Sequence, residues 1–289
     1  MKQLTIISGK GGTGKTAVAA SFAALAENKV LADCDVDASN LHLLLQPQIE
    51  REEPFYGMEV AVLDEQRCVE CDACREVCRY RAIRQGPVIM EMRCTGCGVC
   101  TLVCPEEAIS LERRVNGALY RSRTPYGPLA HARLLPGAEG SGRLVTAVRL
   151  LAENLAAEWG ADFILIDGPP GIGCMVTASL TGVDLALIVT EPTLSGRHDL
   201  ERVLGVACHF GVETLVCINK YDLNAQNAAA IRDYCTSLGI PVSGEIPFDR
   251  RVTEAHVAGY PVVHYDSSPA AQAMENLWEQ VAERLKEAS

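Results

Sequence analysis

Aromatic side chains are scarce in this chain: Phe, Trp and Tyr make up 5% of its 289 residues. Because 48% of residues are hydrophobic, a core of ordinary size has to be built from small and branched aliphatics, as α/β proteins do. Net positive charge is also missing. A balance of −11 argues against a broad nucleic-acid or anionic-membrane surface, since both need a basic face. No apolar run approaches the roughly 18 residues of a membrane span, so no stable membrane insertion is expected. The opening MKQLTIISG lacks the charged start and long apolar stretch of a secretory leader. Disulfide frameworks belong to short secreted domains, so the thirteen cysteines read as metal ligands and buried thiols in a reducing cytoplasm.

What is present is a repeated strand–helix pattern. The runs LTIIS (4–8), KVLADCD (29–35), DFILID (162–167), LALIVT (185–190) and TLVCIN (214–219) are continuously apolar. That marks strands buried on both faces of a parallel sheet. Helical stretches lie between them, at 16–28, 144–158 and 225–237. The pattern predicts an α/β, doubly wound, mostly parallel sheet. Residues 59–113 break it, holding eight of the thirteen cysteines and no long buried strand. They also repeat themselves: Cys68, Cys71, Cys74, Cys78 and Ala82-Ile83 recur at Cys94, Cys97, Cys100, Cys104 and Ala108-Ile109, always 26 residues on. The expected organisation is one discontinuous domain, 1–58 and 114–289, carrying an inserted small α+β domain over 59–113. Gly57 and the stretch 113–117 are the expected joints.

GKGGTGKT (9–16) satisfies G-x4-G-K-[ST] between a strand and a helix. Gly9, Gly11, Gly12 and Gly14 let backbone N–H groups turn inward around phosphate oxygens, and the helix after them offers its positive end. Lys15 is expected on the β- and γ-phosphates and the Thr16 hydroxyl on Mg²⁺. A second lysine, Lys10, gives KGGTGKT. This resembles the deviant Walker A loop of the MinD, ParA, Mrp and nitrogenase-iron-protein group, the SIMIBI class of P-loop ATPases. The resemblance implies that Thr13 and Ala17 also touch the nucleotide. It implies that Lys10 reaches the nucleotide of a second subunit, where a cation delivered in trans stabilises the transferring phosphoryl. DCDVDASN (33–40) resembles the group's switch I, with Asp33 near Mg²⁺ and Asp35 positioning or activating the attacking water. Asp37 is the lesser candidate for that role, the alternative being a solvated loop carboxylate. FILIDGPPGIG (163–173) resembles switch II, with Asp167 on a Mg²⁺-bound water. Asn219 stands where the group contacts adenine, and 245–263 resembles the loop beside the base.

Each cysteine repeat reads C-x2-C-x2-C-x3-C, the run of bacterial two-cluster ferredoxins. The family rule crosses the fourth ligand: Cys68, Cys71, Cys74 and Cys104 for one [4Fe-4S] cluster, Cys94, Cys97, Cys100 and Cys78 for the other. Pro105 follows the last cysteine as that run expects, whereas Arg79 stands after Cys78. Zinc also uses C-x2-C pairs, but two complete four-cysteine runs favour iron–sulfur. Arg75, Arg79, Arg81 and Arg84 suggest a docking patch for an acidic partner, or simply a solvated face. Cys174, seven residues after Asp167, resembles a nitrogenase-iron-protein cysteine that bridges subunits through a cluster; the companion stretch 138–148 has no cysteine. Cys34, Cys208, Cys217 and Cys235 read as buried.

Together the motifs resemble MinD/Mrp-type ATPases with an inserted two-cluster ferredoxin domain. That implies an ATPase with ATP, Mg²⁺ and two [4Fe-4S] clusters, a homodimer or a heterodimer with a related ATPase, and a redox or metallocofactor partner protein. The favoured expectation couples nucleotide state to electron transfer or metallocofactor maturation. The alternatives are an ATP-dependent carrier of iron–sulfur or metal clusters, and a MinD-like positioning protein with structural or sensory clusters. The tail 276–289 is mixed in charge, and Leu277, Val281 and Leu285 at four-residue spacing predict a packed helix.

Overall fold

In the computed structural model, which describes residues 1–138 and 140–287, the continuous apolar runs become the centre of a nine-stranded sheet. The strands are β1 (Lys2–Ser8), β2 (Lys29–Asp33), β3 (Gln48–Leu63), β4 (Ile83–Arg84), β5 (Val88–Ile89), β6 (Ile109–Thr124), β7 (Gly127–Leu134), β8 (Phe163–Pro170), β9 (Leu185–Thr190), β10 (Glu213–Asn219) and β11 (Val242–Ile246). The large sheet runs β11-β10-β9-β1-β8-β2-β7-β6-β3. From β11 to β7 every described pairing is parallel. Strand β6 turns into β7 through only Pro125 and Tyr126.

The helices are α1 (Lys15–Leu25), α2 (Leu41–Leu45), α3 (Ala73–Val77), α4 (Val99–Val103), α5 (Gly142–Trp159), α6 (Cys174–Leu180), α7 (Leu194–His209), α8 (Ala225–Ser237), α9 (Arg250–Ala258), α10 (Val262–Tyr265) and α11 (Pro269–Glu287). The sheet is covered on both faces, and strand periodicity shows how. Leu185, Leu187 and Val189 of β9 join a core with α1 and α11, while Ala186 and Ile188 join a separate core with α6, α7 and α8. Leu277, Val281 and Leu285 of α11 are buried in the first core, and Trp278 packs its ring 5.0 Å from that of Phe22. None of the described helices is long and apolar enough to cross a membrane.

Chain contacts divide the protein into two units. The first comprises Met1–Glu52, Leu119–Arg133 and Gly140–Ser289; the second comprises Glu53–Ala118 with Leu134–Glu139. The expected joints are not loops. Gly57 lies within β3 and 113–117 within β6. Both strands run to 16 residues, but β3 is mostly solvated and β6 only partly buried, so neither shows the apolar run by which the other strands are read. Gly57 is a close-approach residue rather than a hinge, because a Cβ there would collide with the Asn116 side chain.

The second unit keeps the 26-residue repeat in three dimensions. Helix α4 repeats α3 residue for residue. The left-handed residues also recur in register: Glu70 (φ 52°) with Gly96 (66°), Asp72 (64°) with Gly98 (76°), and Arg81 (50°) with Glu107 (48°). Each C-x2-C-x2-C loop must reverse direction between ligands, and the reversal falls on Glu70 and Asp72 in one and Gly96 and Gly98 in the other. A small core of Ala61, Cys74, Ile83 and Ile109 lies among the cysteines.

Candidate nucleotide site and cysteine cavities

Strand β1 ends at Ser8, and α1 begins at Lys15, leaving 9–14 as the loop between them. Gly12 (φ 82°) and Gly14 (φ 91°) take left-handed backbone that a side chain would strain. Gly9 is required for another reason: a Cβ there would stand 2.5 Å from Asp199 Cβ and 2.6 Å from its backbone. Gly11 would meet nothing within 4 Å. Gly9→Ala is therefore expected to reorder the loop and abolish tight nucleotide binding. Gly11→Ala should unfold within about 0.5 kcal/mol of wild type, as thermal melts of the nucleotide-free proteins would show; equal behaviour of the two variants would refute this account.

Lys15 is buried, with Nζ 2.6 Å from Asp167 Oδ1 and 3.3 Å from Asp35 Oδ2. Burial opposes its charge, yet Asp167, Asp35 and Asp33 more than compensate and raise its pKa. Asp33 is buried beside it. Burial first, and then the charge of Asp167, push its carboxyl up to about 7, against the Ser39 hydroxyl that donates to it at 2.7 Å. Burial also raises the Asp35 carboxyl, against the pull of Lys15. Three carboxylates thus converge on one ammonium. Asp167 Oδ2 and Thr13 Oγ1 are buried without a hydrogen-bond partner. A buried site with excess negative charge and an orphaned carboxylate oxygen suits a divalent cation. With Thr16 in the first turn of α1, the residues fit Mg²⁺ beside a phosphate loop.

The other predicted residues find specific partners. Asn219, at the end of β10, donates from Nδ2 to Thr13 O at 2.7 Å, and its Oδ1 accepts from Lys220 N. The amide nitrogen braces the phosphate loop, while the oxygen fixes the side chain on its own backbone. Lys10 Nζ lies 3.1 Å from Ser195 Oγ and 3.4 Å from Glu191 Oε2. Glu191 also binds Lys220 Nζ at 2.6 Å. Asp37 is exposed in its loop, as a solvated carboxylate would be, and its Oδ1 also accepts from Gly140 N at 3.0 Å. Glu191, Ser195, Lys220, Ser39 and Asp199 were not anticipated. Only the E-P-T segment (191–193) directly after the apolar run of β9 offered a sequence signal, and only for Glu191.

The eight repeat cysteines line two cavities of the second unit. Cys78, Cys94, Cys97 and Cys100 line one, with Tyr80, Thr95 and Gly98. Cys68, Cys71, Cys74 and Cys104 line the other, with Asp72, Pro105 and Glu106. Each cavity draws three cysteines from one repeat and the fourth from the other. Backbone N–H groups point at four of the sulfurs: Glu70 at Cys68 (3.4 Å), Ala108 at Cys104 (3.2 Å), Ala82 at Cys78 (3.3 Å) and Ala61 at Cys94 (3.3 Å). Among the described residues no group of His, Cys, Asp and Glu converges as the ligands of a single metal ion would. Arg75 is paired with Asp72 at 2.9 Å, while Arg79, Arg81 and Arg84 are exposed.

Of the remaining cysteines, Cys34, Cys217 and Cys235 are buried, and burial raises their thiols. Cys208 is exposed, contrary to expectation. Helix α7 buries Leu200, Val203, Leu204 and Ala207, and the next residue is turned about 100° off that face. Cys174 is exposed at the start of α6. Of the stretch 138–148, Glu139 lies outside the described residues.

Comparison with known proteins agrees with the geometry of the first unit. Residues 4–262 match the family described as CobQ/CobB/MinD/ParA nucleotide binding domain. An uncharacterized protein of Methanocaldococcus jannaschii is 33% identical over 287 residues, 97% of this chain and 96% of its own. An iron-sulfur cluster carrier protein of Pyrococcus horikoshii is 31% identical over 162 residues, 50% of this chain and 54% of its own. The solved septum site-determining protein MinD of Pyrococcus horikoshii, complexed with Mg-ADP, shares the fold at TM-score 0.62 and 22% identity, covering 100% of this chain and 98% of that one. A phosphate loop on a parallel sheet and a family match across most of the chain lead to one conclusion: this protein belongs to the CobQ/CobB/MinD/ParA nucleotide-binding family.

Proposed function

We propose that the protein is a MgATP-hydrolysing iron–sulfur protein that couples nucleotide state to electron transfer or metallocofactor maturation on a partner protein. The observation that carries this reading is the sorting of eight cysteines into two four-cysteine cavities in a chain whose other unit holds a phosphate loop.

Gly9, Gly11, Gly12, Thr13 and Gly14 wrap the phosphates, Lys15 neutralises them, and Ala17 lies in the first turn of α1 behind them. Lys15 is held ready by Asp35 and Asp167. A triphosphate in the loop competes for its Nζ and releases Asp35, whose Oδ2 then accepts the proton of the attacking water. Thr16, Asp33 and Asp167 would hold Mg²⁺, which supplies charge neutralisation at the transferring phosphoryl. Lys10, now on Ser195 and Glu191 of its own chain, is the cation that a second subunit would receive. The two cysteine sets would hold the clusters, which supply one-electron chemistry; four of their sulfurs already accept backbone N–H bonds of the kind such centres use.

Switch movement has a direct route along the chain. Asp37 follows Asp35 and holds Gly140, the residue at which the chain returns from Leu134–Glu139 of the second unit. Asp37→Ala should therefore reduce the effect of MgATP on amide exchange across 134–142 by about fivefold or more, the size of an ordinary coupling energy. Unchanged exchange in the variant would remove Asp37 from the route.

The first test is anaerobic reconstitution followed by iron and sulfide analysis, then EPR redox titration with and without MgATP. A cluster potential that moves by about 59 mV, tenfold in a one-electron equilibrium, supports the coupled reading. Chains that acquire no iron refute it. The iron-sulfur cluster carrier similarity favours a second reading, an ATP-dependent carrier. That reading leads if the potentials stay fixed and iron passes to an apo-acceptor during hydrolysis. In the positioning reading, vesicle binding would depend on α11, whose Leu277, Val281 and Leu285 are instead buried.

A further inference from the structure

Because the two cysteine cavities are built from one repeated unit, each position in one has a counterpart 26 residues away in the other. Most of what tunes a cluster is therefore matched. Cys71 and Cys97 are exposed alike, and Cys68, Cys78, Cys94 and Cys104 are half-buried alike; Cys74 is buried where its counterpart Cys100 is half-buried. Hydrogen bonds to sulfur raise a cluster's potential, and among the described residues each set has a pair of sulfurs held by backbone N–H groups at 3.2–3.4 Å.

Charge is not matched. Asp72 lines the cavity of Cys68, Cys71, Cys74 and Cys104, and its counterpart Gly98 lines the other. Glu106 lines the first cavity, and its counterpart Tyr80 lines the other. Asp72 Oδ1 is buried with no hydrogen-bond partner. Its Oδ2 is held by Arg75 at 2.9 Å, which offsets part of the charge. Glu106 has no ion-pair partner among the described residues.

We propose that Asp72 and Glu106 make the two cavities electrostatically inequivalent, so that a reducing electron settles first on the centre held by Cys78, Cys94, Cys97 and Cys100. The carboxylates disfavour the extra negative charge of the reduced state at the neighbouring centre. They are tuning residues and take no part in ligation. This gives the second unit a direction: the centre of Cys68, Cys71, Cys74 and Cys104 is the stronger reductant and the other is the sink. The inference rests on the two-cluster reading given above.

The test is a potentiometric EPR titration of the reconstituted protein against Ti(III) citrate, one electron per centre, with iron and sulfide measured beforehand. Wild type should reduce in two waves separated by at least about tenfold in equilibrium constant, 59 mV. Asp72→Asn combined with Glu106→Gln should raise the lower wave and leave the upper one in place; asparagine tolerates the left-handed backbone at 72. Tyr80→Glu should lower the upper wave in an otherwise wild-type chain, a separate readout should the double variant not hold its iron. A single wave in wild type overturns the proposal, as do two waves that none of these substitutions moves. Iron analysis separates the two failures: full iron with coincident waves sinks this inference alone, and absent iron sinks the two-cluster reading with it.

Discussion

Lys15→Ala is expected to abolish nucleotide turnover and also to destabilise the nucleotide-free protein. The first effect follows from the loss of the phosphate cation; removal of one such electrostatic contact typically costs about 10²–10³ in rate. The second is specific to this chain. Lys15 is the only cation that the described hydrogen bonds and ion pairs place against Asp35 and Asp167, and Asp33 is buried beside them. Breaking such a pair from one side leaves uncompensated buried charge, at about 3–5 kcal/mol. Millimolar Mg²⁺ should restore part of that loss in the variant and stabilise wild type less, because a divalent cation replaces the charge that was removed. Chemical denaturation with and without Mg²⁺ measures this. A variant as stable as wild type, or one that Mg²⁺ does not help, would show that the carboxylates are not a charge-frustrated cation site.

Cys104→Ser is expected to remove half of the bound iron, and the pattern of double substitutions should reveal the crossing of the chains. Adding Cys68→Ser should remove little more, because both residues line the same cavity. Adding Cys97→Ser should remove nearly all, because Cys97 lines the other. Residues that act as one unit are non-additive, whereas independent sites add. Were the repeats to bind separately, Cys104 would instead group with Cys94, Cys97 and Cys100, and the two double variants would exchange behaviour. Iron analysis after reconstitution distinguishes the two patterns without any assay of turnover.

Some of this was legible in the linear chain because the signal was local. A strand buried on both faces needs an unbroken apolar run, and the parallel strands nearest the phosphate loop have one. The phosphate loop is a short motif whose glycines act on their own backbone, so Gly12 and Gly14 could be read without knowing any neighbour. The same is true of the cysteine spacing, which sets the tight turns at 70, 72, 96 and 98. Other features were not legible because they depend on contacts between distant positions. Strand β3 is mostly solvated and β6 only partly buried, so their sequence is mixed and gives no sign of their length. Gly9 needs to be glycine because of Asp199, and Gly57 because of Asn116. Cys208 looked buried by composition, but the phase of α7 turns it outward.

The buried parallel strands, the phosphate loop and the two four-cysteine runs can be read from the linear chain, since each arises from residues within a few positions of one another. How those parts are joined emerges only on folding. Folding brought Asp33, Asp35 and Asp167 to one buried ammonium, set Lys10 against Glu191 and Ser195, tied Asp37 to Gly140, and gave two carboxylates to one cysteine cavity and none to the other. The reason is physical: backbone conformation and hydrophobic periodicity are properties of neighbours in the chain, whereas charge compensation, steric exclusion and burial belong to neighbours in space.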